Sequence, residues 1–282
     1  MTEDVSSTRP TGRAKRPYPI LARESTHADR ASLCALAVMA KAPRAGKVKT
    51  RLSPPLTLEE SAALNICFLR DTTQNIAEVS AEGGAKGLVC YTPVGDEIAF
   101  DDLLPDGFAL IPQRGEAFGE RLLAAAKDIL ACGFSSVCLI DSDSPTLPAG
   151  ALKQAVHELS LSGDRVVIGP SEDGGYYLIG LKIAHPEPFE RIPWSTETVY
   201  EQTVERVSDA GIELVVLPTW YDVDDAATLA VLEDELLDGK PPRFANVDGY
   251  RANFTQVYLA ERRHASNTDS SETFTPSSGA TR

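Results

Sequence analysis

Two aspartates, Asp141 and Asp143, directly follow a short apolar run and could together hold a divalent cation. Residues 137–140 have the length and composition of a buried strand, and side chains alternate faces along extended backbone. Both carboxylates are therefore expected on the same side of the chain, and oxygen ligands of this kind suit a hard divalent cation. The alternative is that these residues only end a strand and begin a turn. Short motifs match by chance, so the spacing alone leaves both interpretations open.

A basic segment, residues 39–51, follows the first predicted strand. It contains no acidic residue, and its cations are Lys41, Arg44, Lys47, Lys49 and Arg51. Ligands of α/β sheets bind at the carboxyl ends of strands, and an arginine there can hold two phosphate oxygens at once. Val48 stands where a Walker A loop has Ser or Thr, and the G-x-G-x-x-G fingerprint is absent. The segment is a candidate phosphate site, and the alternative is a solvated basic loop.

A turn-rich stretch, residues 169–180, combines an acidic residue with paired glycines and tyrosines. Gly174 and Gly175 follow Asp173 and allow a ligand to approach the backbone closely. Tyr176 or Tyr177 could line a sugar or base pocket. Asp-Gly is also a strong hairpin signal, so the simplest interpretation is a β-hairpin turn. A hairpin is compatible with a binding site placed on it.

Further polar and aromatic positions are candidates for the same site. Asp222 and Asp224 repeat the same-face spacing and could complete the metal site, although Asp224 or Asp225 could instead be the N-cap of the next helix. Trp194 is a candidate pocket wall or a core anchor. Gln113 follows a predicted strand and could read a nucleobase edge.

Composition excludes several classes of function. The formal net charge of −14 is opposite to what nucleic acids and anionic membrane surfaces require. The apolar runs are shorter than the ~20 residues that span a bilayer. The five cysteines are scattered and show no zinc spacing, which is typical of a reducing compartment. We therefore expect a cytoplasmic protein that neither binds nucleic acid nor inserts into a membrane.

Short apolar runs alternate with helix-length segments along the chain. Strands are predicted over residues 33–40, 87–91, 108–111, 137–140, 166–168, 176–181 and 212–217. Helices are predicted over residues 57–79, 118–130, 148–160, 198–210, 225–237 and 252–262. This alternation predicts a single α/β domain with a mostly parallel sheet covered on both faces. The expected boundaries are a disordered tail over 1–32, the domain over 33–240, a helical extension over 241–263 and a disordered tail over 264–282.

In their order along the chain, these motifs resemble a family of bacterial transferases. The stretches that carry the resemblance are residues 39–44, 49–52, 119–121, 141–145, 169–180, 194–196 and 222–224. They are similar to the GT-A-type proteins called radical-SAM/selenodomain-associated transferases or nucleotide-diphospho-sugar transferases. The resemblance covers about residues 33–237, and Ser144 is a small, conservative departure from the family pattern.

The resemblance implies a fold, an activity and site roles. The fold would be the GT-A three-layer sandwich, and the activity a metal-dependent transfer from a nucleotide-sugar donor. Asp143 and Asp141 would hold Mg²⁺ or Mn²⁺ against the donor diphosphate. Lys49 and Arg51 would contact phosphate and stabilise the departing nucleoside diphosphate. Asp173 is the candidate base for the acceptor hydroxyl.

Two other functions remain open from the sequence. The Lys-Thr-Arg-Leu stretch, residues 49–52, also resembles 2-phospho-lactate guanylyltransferases, which implies a nucleotidylyltransferase that releases pyrophosphate. A non-catalytic nucleotide-binding module is the third candidate. Fold alone does not settle reaction type.

Overall fold

A seven-stranded sheet forms the centre of the molecule. The structure, a computed structural model, describes residues 18–23 and 27–272, with side chains as far as residue 265. The strands are Cys34–Lys41 (β1), Ala85–Thr92 (β2), Ala109–Pro112 (β3), Ser136–Ile140 (β4), Arg165–Pro170 (β5), Tyr176–Leu181 (β6) and Glu213–Val216 (β7). Their order across the sheet is β3-β2-β1-β4-β6-β5-β7.

Helices connect the strands and cover the sheet. They are Leu58–Ala81 (α1), Phe118–Ala131 (α2), Ala149–Ser160 (α3), Val199–Asp209 (α4), Ala226–Asp238 (α5) and Asn253–Glu272 (α6). A capping box begins α1, because the Thr57 hydroxyl accepts a hydrogen bond from the Glu60 backbone N–H and the Glu60 carboxylate accepts one from the Thr57 backbone N–H. Apart from α6, each strand and helix ends within two residues of its predicted bounds.

The sheet is mostly parallel, as predicted. Strands β1, β2, β3 and β4 run parallel to one another, and β7 runs parallel to β5. Strand β6 is antiparallel to both of its neighbours, β4 and β5. The carboxyl ends of the parallel strands and the start of β6 therefore meet at one edge, where the polar motifs lie.

Helices pack on both faces of the sheet and give the predicted three layers. One core contains Phe68 of α1, Leu152 of α3 and Leu229 of α5. The core on the opposite face contains Leu122 of α2 and Val207 of α4. The strand side chains between the two layers are almost fully buried. This matches the continuous apolar runs in the sequence, because parallel strands are buried on both faces.

The prediction of a disordered N-terminal tail is wrong for its described part. Leu110 donates its backbone N–H to the Pro19 carbonyl (2.9 Å) and accepts from the Leu21 N–H (2.8 Å). The Leu21 side chain is 8% exposed, and residues Ala28–Arg30 form a 3₁₀ turn. Backbone pairing with the edge strand β3 orders this segment, and a stretch so short has no apolar periodicity to reveal it.

The predicted C-terminal boundary also differs from the structure. Helix α6 continues to Glu272, beyond residue 264 where the disordered tail was expected to begin. Asp71 of α1 accepts hydrogen bonds from the backbone N–H groups of Phe254 (3.0 Å) and Thr255 (2.8 Å) and so caps this helix. The expectations for residues 1–17, 24–26 and 273–282 lie outside the described residues.

Candidate active site

A basic cavity of about 550 Å³ opens beside the loop that follows β1. Its positively charged lining residues are Lys41, Lys47, Lys49, Arg51 and Arg121. The loop lies at the carboxyl end of β1, where α/β sheets bind ligands. The predicted phosphate site thus coincides with a cavity.

A second, acidic cavity of about 470 Å³ adjoins the first. Its lining includes Asp141, Asp173, Asp222 and Glu197, together with the aromatic residues Phe118, Tyr176, Tyr177 and Trp194. The residues that line both cavities are Met39, Arg51, Phe118, Asp143 and Asp224. The two cavities therefore meet at one arginine and two aspartates.

Lys49 holds the two shared aspartates together. Its Nζ lies 2.9 Å from Asp143 Oδ2 and 2.7 Å from Asp224 Oδ1. It also donates to the carbonyl of Val223 (2.7 Å). The Lys49 side chain is only 4% exposed, so this ammonium is an internal cation rather than a free phosphate ligand in the structure.

The electrostatics of Lys49 keep it charged. Burial alone would lower the pKa of the Lys49 ammonium, but the carboxylates of Asp143 and Asp224 outweigh it and raise the pKa. Lys49 also has a left-handed backbone conformation, with φ of 47°. Such backbone strain in a non-glycine residue is concentrated at functional sites.

The Asp141 and Asp143 pair lies where the sequence predicts, at the end of β4. Asp141 Oδ1 accepts from the Asp143 backbone N–H (3.2 Å), and Oδ2 accepts from the Ser144 hydroxyl (2.9 Å). Asp143 Oδ1 accepts from the Ser142 hydroxyl (3.1 Å). The Asp-Ser-Asp-Ser sequence therefore fixes the orientation of its own carboxylates.

Negative charge accumulates in the acidic cavity. Burial, followed by the neighbouring carboxylates of Asp143 and Asp222, raises the pKa of Asp141 well above its usual value. Burial, followed by Asp173 and Asp224, raises the pKa of Asp222 to about 7. Asp141 and Asp222 form no ion pair with any described lysine or arginine. A cation would relieve this repulsion.

The four predicted metal ligands do not form one coordination shell. Among the described residues, no group of three or more His, Cys, Asp or Glu side chains is arranged to hold a metal ion. Mg²⁺ in nucleotide sites is commonly held by only one or two carboxylates plus substrate phosphates and water. The donor set therefore fits a cation that the nucleotide helps to bind, and the metal assignment stays a prediction.

The other residues of the basic segment differ in their placement. Lys41 and Lys47 are exposed and line the basic cavity. The Arg51 side chain is 69% exposed and lies 3.7 Å from Asp224 and from Asp225. Arg44 lies outside the lining of both cavities, and its guanidinium pairs with Asp96 at 2.5 Å.

Gln113 lines the basic cavity, and its role in reading a nucleobase edge stays a prediction. Its Nε2 donates to the carbonyl of Cys90 (2.7 Å). Arg121 also lines this cavity and belongs to the stretch 119–121 that carries the family resemblance, whereas the lining residue Asn65 was not singled out from the sequence. Asn65 lies on the buried face of α1, which also contains Ser61, Asp71, Thr72 and Asn75, so its polarity alone gives no signal in the sequence.

The Asp173 turn is the predicted hairpin between β5 and β6. The Gly175 N–H donates to Asp173 Oδ1 (2.8 Å), and Gly174 has a φ of 88°. A Cβ on Gly174 would lie 2.0 Å from the carbonyl oxygen of Glu197. Gly174 is therefore required where the turn packs against the segment that carries Trp194.

An aromatic wall, consisting of Phe118, Tyr176 and Trp194, closes one side of the acidic cavity. The Trp194 ring centroid lies 5.0 Å from that of Phe118 and 6.4 Å from that of Tyr176. A Cβ on Gly119 would lie 2.7 Å from Trp194 Nε1. The stretch 119–121 therefore has two roles: Gly119 leaves room for the indole, and Arg121 lines the basic cavity.

The sequence left open whether Asp224 or Asp225 is the N-cap of the helix that follows. Asp225 is the N-cap of α5, accepting from the N–H groups of Ala227 and Thr228 at 3.0 Å each. Asp224 makes no cap and lines both cavities. The structure therefore separates a capping residue from a site residue one position apart.

Part of the chain matches a model of a protein family. A model described as "uncharacterized protein conserved in bacteria (DUF2064)" matches residues 75–196. Comparison with the curated proteins found no match.

No described helix is long and apolar enough to cross a membrane.

Solved structures extend the match over most of the chain. One from Desulfovibrio desulfuricans G20, described as a "putative nucleotide-diphospho-sugar transferase", is 31% identical, with a TM-score of 0.68, over 82% of this chain and 95% of that one. A CMP:2-keto-3-deoxy-manno-octonic acid synthetase is 11% identical, with a TM-score of 0.45, over 74% and 100%. A cytidylyltransferase from Leptospira borgpetersenii is 10% identical, with a TM-score of 0.44, over 82% and 95%. The two distant likenesses carry no conclusion about activity.

The similarity to the Desulfovibrio desulfuricans protein is high enough in sequence identity and in coverage to show a family. It agrees with the fold and with the order of motifs described above. This chain belongs to the same family as the Desulfovibrio desulfuricans protein described as a "putative nucleotide-diphospho-sugar transferase", and its residues 75–196 match the DUF2064 model.

Proposed function

We propose that this protein is a metal-dependent transferase that uses a nucleotide-sugar donor. The observation that carries the proposal is the meeting of a basic and an acidic cavity at Arg51, Asp143 and Asp224. A transferase must bring two substrates together at one point, and two adjoining cavities of different chemistry suit that task. The description of the Desulfovibrio relative supports the same class.

The basic cavity suits the donor diphosphate. Its exposed cations Lys41, Lys47 and Arg51 can approach phosphate oxygens, and the guanidinium of Arg51 can hold two of them. Lys49 is already paired with Asp143 and Asp224. In this proposal it sets the position of those carboxylates and adds positive charge behind the phosphates.

A divalent cation is part of the proposal. Asp141, Asp143, Asp222 and Asp224 are its candidate ligands, and Asp141 and Asp222 form no ion pair with a described lysine or arginine. When bound, such a cation supplies Lewis-acid stabilisation of the charge on the departing diphosphate. The protein contributes carboxylates that are already oriented by Ser142, Ser144 and Lys49.

The chemical step of this proposal transfers a glycosyl group. A bond forms between an acceptor oxygen and the anomeric carbon, while the bond from that carbon to the β-phosphate oxygen breaks. The nucleoside diphosphate leaves with the electron pair, and Arg51 stabilises its charge. The proton of the acceptor hydroxyl passes to a carboxylate that acts as general base. Asp173 is the candidate for this carboxylate because it lines the acidic cavity.

A product assay separates this function from its alternatives. The protein is incubated with nucleotide sugars or with nucleoside triphosphates, in Mn²⁺ or Mg²⁺, and the released products are identified. Release of nucleoside diphosphate from a nucleotide sugar supports the proposal. Pyrophosphate release from a triphosphate would identify a nucleotidylyltransferase instead. Binding without turnover of either class would indicate a nucleotide-binding module.

Asp143→Asn tests the role of the shared carboxylate in the same assay. The change removes a charge but little volume, and Lys49 keeps its contact with Asp224. We expect turnover to fall about a hundredfold or more while the melting temperature changes little. Asp96→Asn is the matched control, because Asp96 pairs with Arg44 outside both cavities. Full activity of Asp143→Asn in Mn²⁺ would contradict the assignment.

A further inference from the structure

We propose that the acidic cavity is the acceptor site and that it selects an uncharged or positively charged acceptor with a flat apolar face. This inference rests on the proposed function and names the chemistry of the second substrate. It comes from three features of the described residues: an aromatic wall, an imbalance of charge and a rigid frame.

The aromatic wall offers a stacking surface. Phe118 is 43% exposed although it is a large apolar side chain. The Trp194 ring packs edge-on against both Phe118 and Tyr176. Aromatic faces bind flat apolar surfaces, including the C–H face of a sugar ring, and they attract cations. An apolar or sugar ring would therefore gain contacts here.

The charge of the acidic cavity disfavours anions. Its lining contributes Asp141, Asp173, Asp222 and Glu197 beyond the two shared aspartates. Among its described lining residues, Arg51 is the only lysine or arginine. One divalent cation does not reverse this sign, because the donor diphosphate that accompanies it carries comparable negative charge. Repulsion by these carboxylates would therefore weaken the binding of an anionic acceptor relative to a neutral or cationic one.

The frame of the cavity is held in place by contacts that leave little freedom. The Tyr200 N–H donates to the Gly174 carbonyl (2.8 Å), which joins the Asp173 turn to the start of α4. The Trp194 ring occupies the space that a side chain at Gly119 would fill. Ser195, next to Trp194, has a left-handed φ of 66°. A preformed wall lowers the entropic cost of binding an acceptor.

The two tryptophans provide a direct readout. Trp194 lines the acidic cavity, whereas Trp220 is 1% exposed and its Nε1 donates to Thr146 Oγ1 (3.2 Å). In a ¹⁵N-indole NMR spectrum the Trp194→Phe variant assigns the two signals. Trp220 is then the internal control for nonspecific effects.

The probes share one ring and differ in charge. They are phenethylamine, 2-phenylethanol and 3-phenylpropionate, titrated at about pH 7.5, where the amine is a cation. We expect the amine and the alcohol to shift the Trp194 signal with a dissociation constant about tenfold or more below that of the carboxylate. In Asp173→Asn the ratio between amine and carboxylate should fall about threefold or more. Asp209→Asn, on the exposed end of α4, should leave the ratio unchanged.

Three results would overturn the inference. They are equal or tighter binding of 3-phenylpropionate, shifts confined to Trp220, and no shift of Trp194 by any probe. Nucleoside diphosphate binding is measured separately by calorimetry. If nucleotides fail to bind while the ring probes behave as expected, the transferase proposal fails and the recognition chemistry of this cavity stands.

Discussion

At the scale of single residues, Lys49 is the side chain whose role differs most from expectation. A lysine in a basic loop is predicted to be exposed and to contact phosphate. In the structure it lies behind the site, between Asp143 and Asp224. The sequence cannot reveal this, because the two partners come from distant loops that only the sheet topology brings together.

Lys49→Met should destabilise the protein. Removing one partner of a buried ion pair costs about 3–5 kcal/mol, because the remaining charge is left unpaired. The carboxylates of Asp143 and Asp224 are 33% and 41% exposed, so water offsets part of this loss. We expect the free energy of unfolding to fall by about 2 kcal/mol, measured by urea denaturation.

Lys47→Met is the matched control for this change. Lys47 lies in the same loop but is exposed and forms no ion pair with the described residues. Its substitution should change the free energy of unfolding by less than about 0.5 kcal/mol. Equal effects of the two substitutions would contradict the role of Lys49 as an internal cation.

At the scale of elements, two glycines occupy the same position in two helices but have different surroundings. Gly119 and Gly150 are each the second residue of a helix, α2 and α3. A Cβ on Gly119 would lie 2.5 Å from the Phe189 carbonyl and 2.7 Å from the Trp194 indole. A Cβ on Gly150 would meet nothing within 4 Å.

The two alanine variants should therefore differ in how they change the free energy of unfolding. Gly119→Ala should lower the free energy of unfolding by about 1–3 kcal/mol and shift the Trp194 indole signal, because the ring must move. Gly150→Ala should leave stability unchanged or raise it by up to about 1 kcal/mol. Chemical denaturation measures both variants. Destabilisation by both would mean that helix position, rather than contact with Trp194, determines the cost.

At the scale of the whole molecule, the order of strands and helices was predictable because apolar runs, the Thr57 capping box and turn residues are local signals. The hairpin between β5 and β6 was predicted, whereas the antiparallel pairing of β6 with β4 was not, because that pairing depends on how the chain crosses the sheet rather than on local pattern. The contribution of residues 18–23 and 27–32 was also missed. The Tyr18 hydroxyl donates a hydrogen bond to the carbonyl of Leu104, and Leu21 packs against the core beside β3.

A chain truncated to begin at residue 33 should thus be less stable. Loss of the buried Leu21 side chain and of the hydrogen bonds to Leu110 removes about 3 kcal/mol. For a protein of this size, the melting temperature should fall by about 5 °C or more. A chain that begins at Tyr18 is the control and should melt higher than the shorter one. Equal melting temperatures would show that the segment does not stabilise the domain.

The central claim for the molecule is that the loop after β1 binds the diphosphate of a nucleotide. Isothermal titration calorimetry with a panel of nucleoside diphosphates and their nucleosides, in Mn²⁺, tests it most directly. Arg51→Ala should weaken diphosphate binding about tenfold or more, since a charge-assisted hydrogen bond contributes about 1.5–3 kcal/mol, and should leave nucleoside binding nearly unchanged. Arg44→Ala, which lies outside both cavities, should have little effect on either ligand. Equal losses for diphosphate and nucleoside in Arg51→Ala, or equal effects of the two variants, would contradict the claim.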